Sequence, residues 1–155
     1  MDGIEVLEAT VDDKPVMRRL LELYAHDFSE FTATDVDARG RFGYPYLDLY
    51  WTEPERRPFL FRVAANWAGL ALVRTGVPHD MAEFFVLRKY RRTGVGEAAA
   101  RDLFARFPGD WQVRQLETNP GATAFWRRAI PFEFAEAVTA EGRVQRFASV
   151  AVSGP

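Results

Sequence analysis

Met81-Ala-Glu-Phe-Phe-Val-Leu-Arg-Lys-Tyr-Arg-Arg-Thr-Gly-Val-Gly96 decides how this chain is read. Its first residues make a short apolar run of the kind that fills a strand. An arginine-rich turn follows, and two glycines then open a helix. This order aims several backbone N–H groups and the positive end of a helix dipole at one place, which suits a phosphate. Arg88, Lys89, Arg91 and Arg92 put cationic side chains around the same turn. The arrangement fits a ligand carrying a di- or polyphosphate.

Working outward from the turn, the pattern predicts alternating strands and helices. Ile4 to Ala9 reads as a strand. Thr10, Asp12 and Asp13 cap a helix in which Val16, Leu20, Leu21 and Tyr24 recur at helical spacing, with an end expected near Ala25. Residues 29–55 have no clean period and hold Phe31, Phe42, Tyr44, Tyr46, Tyr50 and Trp51, the mark of a binding loop or of short helices. Residues 58–65 and 70–74 read as a hairpin, and residues 82–87 as a central strand. Beyond the turn, Val95, Ala98, Ala99, Leu103 and Phe107 form the buried stripe of a helix that Pro108-Gly109 ends. A strand at 111–116, a short helix at 122–128 and a hairpin of 132–139 with 144–152 complete the chain. The predicted fold is α/β (α+β), one domain over residues 1–155. Its central sheet is mixed and mainly antiparallel, with about six or seven strands and about four flanking helices.

Composition narrows the function classes. A chain of 155 residues with 48% hydrophobic and 14% aromatic content has enough apolar matter for a core, which argues against disorder. A formal net charge of -2 argues against a general binder of nucleic acid or of anionic membranes. With no cysteine there is no disulfide, thiol nucleophile or zinc-thiolate site, and no metal site is expected. No apolar run approaches the length of a membrane span and the first residues lack a signal-like core, so a soluble cytoplasmic protein is expected.

Three explanations compete for the two glycines. They could simply permit tight packing at a helix start. Gly94-Val-Gly96-Glu-Ala-Ala99 also satisfies a dinucleotide fingerprint, with Glu117 placed like a ribose-binding acid. Against that, a basic segment separates the glycines from the strand, and the chain beyond them is too short for the remaining parallel strands. A P-loop fails because no Gly-Lys-Ser/Thr follows. The third explanation uses the whole segment. Arg91-x-x-Gly94-x-Gly96, set behind a strand ending at Val86, resembles the signature of the GNAT superfamily of acyl-CoA-dependent N-acyltransferases. Asn119-x-x-Ala122-x-x-Phe125-Trp126 resembles the superfamily's second motif, and the order of elements agrees from residue 4 to about 150.

The resemblance implies an N-acetyltransferase that moves an acetyl group from acetyl-CoA to a primary amine, a small amine or a peptide amine. The main chain of Arg92, Thr93, Gly94, Val95, Gly96 and Glu97 would take the coenzyme A pyrophosphate, with Arg91 of the motif also on the cofactor side. The strand residues Phe84, Phe85, Val86 and Leu87 would pair with the pantetheine arm, and the Phe85 or Val86 amide would polarise the thioester. Asn119, Phe125 and Trp126 would line the cofactor, although Asn119 before a proline also suits a turn. Glu83 leads as general base, with Asp80 and Glu117 in reserve; it could instead pair with Arg62 or Arg74. Relatives often carry an acidic tyrosine where this chain has Trp126, which leaves Tyr24, Tyr44, Tyr46, Tyr50 or Tyr90 to replace it. Tyr24, Asp27, Tyr44 and Tyr46 are the acceptor-side residues, a mix of rings and carboxylate that suits a cation. A homodimer is left open. A noncatalytic acyl-CoA-binding regulatory domain is the runner-up, and a dinucleotide-binding oxidoreductase the weaker alternative.

Overall fold

The computed structural model describes residues 3–150. Seven strands form one sheet: β1 (Ile4–Glu8), β2 (Arg56–Val63), β3 (Asn66–Arg74), β4 (His79–Val86), β5 (Gly109–Gln115), β6 (Phe134–Thr139) and β7 (Gly142–Ser149). Their spatial order is β1-β2-β3-β4-β5-β7-β6. Every neighbouring pair is antiparallel except β4 with β5. A doubly wound parallel sheet is therefore excluded, and the dinucleotide-fold alternative with it.

Three α-helices cover the two faces: α1 (Lys14–Thr32), α2 (Val95–Arg106) and α3 (Pro120–Ala129). About four were expected; among the described residues the remaining helical segments are only short 3-10 turns, one of them at Leu47–Trp51. Strands β2 and β3 lie between the layers, so their apolar runs are buried on both sides. Phe59, Phe61, Ala71 and Val73 face α2 and α3, where Leu103, Phe104, Trp111 and Trp126 complete one core. Leu60, Leu70 and Leu72 face α1, where Met17, Leu20, Leu21, Leu47 and Tyr50 complete the other. Alternation along each strand thus supplies both cores.

Some boundaries differ from the sequence reading for identifiable reasons. The first helix runs past Ala25 to Thr32 because no breaker interrupts it. Tyr24 packs against Phe28 and Phe28 meets Phe31 edge-on, extending the apolar face until Ala33 turns left-handed at φ +55°. The strand before the signature turn starts at His79 rather than at residue 82. It carries a β-bulge at Ala82, where Leu72 pairs with Glu83 but Val73 pairs with Met81. The last strand ends at Ser149; residues 151 and 152, expected within it, lie outside the described residues.

Candidate active site

The site begins where β4 and β5 part. They pair only at His79–Trp111 and Asp80–Gln112, and beyond Asp80 the two strands diverge. The Leu87 amide donates to the Ala68 carbonyl at 2.8 Å, and a Cβ on Gly69 would fall 2.2 Å from the Phe85 carbonyl oxygen. The main-chain groups of Phe85 and Leu87 therefore face β3. By antiparallel alternation those of Phe84 and Val86 face the gap. This corrects the expectation for Phe85: its amide belongs to the ladder, and its buried ring packs 5.4 Å from that of Tyr24. Phe84 and Val86 hold the gap-facing amides, while the Val86 carbonyl already accepts Arg91 Nε at 3.0 Å.

At the end of that strand the chain turns into α2. Arg92 and Gly94 are both left-handed, at φ +62° and +89°, and α2 starts at Val95. The left-handed Gly94 lets the chain enter the helix with its first amides facing outward. Gly96 acts differently from the expected phosphate clearance. It is buried, and a Cβ there would lie 2.9 Å from the Phe125 ring and 3.3 Å from Val86 Cγ2. Its lack of a side chain lets α2 pack on α3 and β4. Thr93 is exposed, with its hydroxyl donating to the Tyr90 carbonyl, and Glu97 pairs with Arg101 at 2.9 Å.

The arginines do not simply ring the turn. Arg88 and Arg91 both bind the Asp27 carboxylate of α1, at 2.6 and 2.5 Å. Against the cost of its own burial, they hold that carboxyl below its usual range. Asp27, expected on the acceptor side, is thus taken up by the phosphate turn.

The other face of β4 carries the acid. The bulge at Ala82 lies before Glu83, so Glu83 and Phe85 look toward α1 while Phe84 joins the opposite core. Neither Arg62 nor Arg74 pairs with Glu83; Arg62 binds Glu5 at 3.1 Å. Burial pushes the Glu83 carboxyl up to about 7, with the Asp80 charge adding to the rise. The Tyr24 hydroxyl, close enough to favour the ionised form, and the Arg114 charge oppose it. Tyr24 is itself raised well above the usual phenol value, by burial and then by Glu83. Tyr44 is raised for the same two reasons, and burial also raises Tyr50. The Tyr50 hydroxyl is buried without a partner in good hydrogen-bond geometry, although Tyr44 and Arg56 lie close enough to influence it. Tyr46 stands at the surface, edge-on to Tyr44 with ring centroids 6.0 Å apart.

Two features of this pocket escaped the sequence reading. Glu22 of α1 accepts the Phe42 and Gly43 amides, both at 2.9 Å, and so fastens the irregular segment just before Tyr44. Arg114 Nη2 donates to Asp80 at 2.8 Å, and the two line a cleft of about 320 Å³ with Glu55, Arg74 and Gln112. Neither contact has a local sequence signal, since each joins residues about 20 or more positions apart. A larger depression of about 540 Å³ lies over residues 132–135, beside the edge strand β6, and holds none of these groups.

No family model matches the chain, and no curated protein does. Solved structures do. An acetyltransferase from Thermus thermophilus superposes with a TM-score of 0.71 at 15% identity, over 94% of this chain and 96% of that one. A spermidine N-acetyltransferase from Vibrio cholerae, in complex with CoA and spermine, gives 0.68 at 13% identity, over 96% and 97%. The ribosomal-protein-S18-alanine N-acetyltransferase from Escherichia coli gives 0.66 at 15%, over 97% and 96%. The fold is that of the GNAT acetyltransferases.

Within the GNAT frame the second motif is structural in its visible contacts. Asn119 is the N-cap of α3, its Oδ1 accepting the Ala122 amide at 3.1 Å. Phe125 closes over Gly96 and meets Phe84 with ring centroids 5.6 Å apart. Trp126 is only 6% exposed, edge-on to Phe84 at 4.9 Å in the α2/α3 core. An indole there packs the underside of β4 and offers no acid to the gap. Among the described residues no group of acidic or histidine side chains could hold a metal ion, and no helix is long and apolar enough to cross a membrane.

Proposed function

We propose that the protein is an acyl-CoA-dependent N-acyltransferase that moves an acetyl group from acetyl-CoA to a primary amine, with Glu83 as general base. The observation that carries this is a carboxylic acid poised near 7 on β4, one residue from the gap-facing Phe84 amide. An alkylammonium has a pKa of roughly 10.4 and must lose a proton before it can attack a carbonyl. A carboxylate with an ordinary pKa near 4.3 is a weak base for that task, whereas one near 7 is both stronger and still largely ionised above neutrality.

Bound acetyl-CoA would supply the acyl group as a thioester. The chain's residues fit it: the amides from Gly94 to Glu97 at the head of α2 suit the pyrophosphate. The Phe84 and Val86 amides suit the pantetheine arm and the thioester oxygen. Tyr24 orients the Glu83 carboxylate through its hydroxyl. Tyr44 and Tyr50 close the pocket and keep it dry enough to hold the carboxyl near neutrality. Their rings with Glu83 suit a cationic acceptor by charge and by cation–π contact. The spermine in the Vibrio cholerae neighbour supports a small amine as that acceptor.

The buried Trp126 favours a second reading, a noncatalytic acyl-CoA-binding domain, because its indole offers no acid to a departing thiolate. One experiment separates the two: thiol release from acetyl-CoA, followed across a panel of small amines and peptide N-termini. Turnover with an acid limb near pH 7 is the expected result. Protection against thermal unfolding by CoA without thiol release from any amine would favour the binding domain.

A further inference from the structure

Asp27 is where the cofactor side and the acceptor side of the molecule meet. It lies on α1 one turn beyond Tyr24, whose hydroxyl reaches Glu83. Its two oxygens are shared between the arginines of the turn. Arg88 Nε and Nη2 reach Oδ1 at 3.1 and 2.6 Å, and Arg91 Nη2 reaches Oδ2 at 2.5 Å. Arg91 also holds the Val86 carbonyl through Nε and lies over the Phe85 ring, 5.7 Å from its centroid. One guanidinium therefore joins α1, the end of β4 and the turn.

The turn needs such a tie. Arg92 is left-handed without being glycine, a conformation that persists only where its surroundings impose it. Its remaining bonds are local: the Tyr90 amide to the Leu87 carbonyl, the Arg91 amide to the Arg88 carbonyl, and the Thr93 hydroxyl to the Tyr90 carbonyl. Apart from the Arg91 bond to the adjoining Val86 carbonyl, the Asp27 carboxylate is, among the described residues, the side-chain hydrogen-bond anchor that joins residues 88–94 to another part of the protein.

We infer that Asp27 is a positioning residue for the phosphate cradle, an acid on the acceptor helix that fixes the turn in the shape that receives a pyrophosphate. The inference deepens the proposed function and rests on it for the ligand. It also opposes simple electrostatics. A carboxylate beside a polyanion site repels the ligand, so its neutralisation should tighten binding unless its structural role dominates.

Two measurements on Asp27→Asn test this. Hydrogen exchange in the protein alone should speed up at least about tenfold for the hydrogen-bonded amides of the turn, those of Tyr90, Arg91 and Ala98, while Leu103 in the core stays protected. CoA titrated by calorimetry should bind about tenfold more weakly. Arg91→Lys, which keeps the charge and loses the forked contact, should reproduce both effects in part. Unchanged exchange at the turn, or tighter CoA binding by Asp27→Asn, would overturn the inference. Failure of the wild-type protein to bind CoA would sink the proposed function instead, with the exchange measurement still deciding the role of Asp27.

Discussion

The glycine turn follows the end of β4, the Glu83 pocket lies against one face of the same strand, and the two are built by different means. The turn is a main-chain device. Its shape is set by a left-handed Gly94 and a buried Gly96. All of it falls within one short stretch of sequence. The pocket is a side-chain device assembled from α1, the segment after it, the 3-10 turn at Leu47–Trp51, β4 and β5. A main-chain site tolerates change at most positions and fails abruptly at a few. A pocket of coupled side chains responds by degrees to each of its members.

The largest effect is expected at the acid. Glu83→Gln removes the base while preserving shape, and should lower kcat by about 10²–10⁴-fold and abolish the acid limb near pH 7. The same variant carries a stability signature of known sign. The Glu83 pKa is raised in the folded state, so the native protein favours the protonated acid. The stability this contributes is complete below the ordinary carboxyl value of about 4.3 and is lost as pH rises through about 7. Glu83→Gln should therefore be more stable than wild type at about pH 8, by on the order of 2 kcal/mol, with the difference shrinking toward about pH 4.5. Melting curves at the two pH values measure it. A variant equally stable at both, with an unmoved pH–rate profile, would make Glu83 an ordinary strand residue.

At the turn beyond β4, Gly94→Asp puts a Cβ at φ +89° and a negative charge at the head of α2. CoA affinity should fall by about 100-fold or more, because strain and repulsion act on the same amides. The Glu83 pocket should keep its titration, which carboxyl NMR of the variant can follow. Retained affinity would move the phosphate site elsewhere.

The difference between the regions also explains what could be read in the sequence. The turn and the order of elements were legible, because fixed spacing and hydrophobic period carry them. Glu83 was legible as an acid in an apolar strand, and its facing survived because the bulge fell at Ala82, before it. The roles of Asp27 and Gly96 were not legible. Nothing in the sequence near Asp27 shows that Arg88 and Arg91 fold back onto α1. Nothing near Gly96 shows that Phe125 occupies the space its Cβ would need. Of the two amides named for the thioester, that of Phe85 belongs to the β3 ladder and that of Val86 to the gap, a distinction set by which ladder amides pair with β3. The Glu22 bonds to Phe42 and Gly43 were invisible for the same reason: their partners meet only in the folded chain.

Tyr24→Phe gives the smallest effect and the finest test of the pocket. Its hydroxyl opposes the rise in the Glu83 pKa by donating to the charged form, while burial and Asp80 drive the rise. Removing the hydroxyl leaves the ring packed on Phe85 and Phe28, so the fold should be little disturbed. The carboxyl then loses a donor that favours ionisation, and its pKa should climb further, by somewhat less than about one unit. The acid limb of the pH–rate profile should move up by the same amount, with activity above about pH 8 close to wild type. A downward shift would mean that water enters in place of the hydroxyl and that the pocket is wetter than its ring of tyrosines suggests. Desolvation would then be ruled out as the main source of the perturbed acid, and the Asp80 charge would have to carry it.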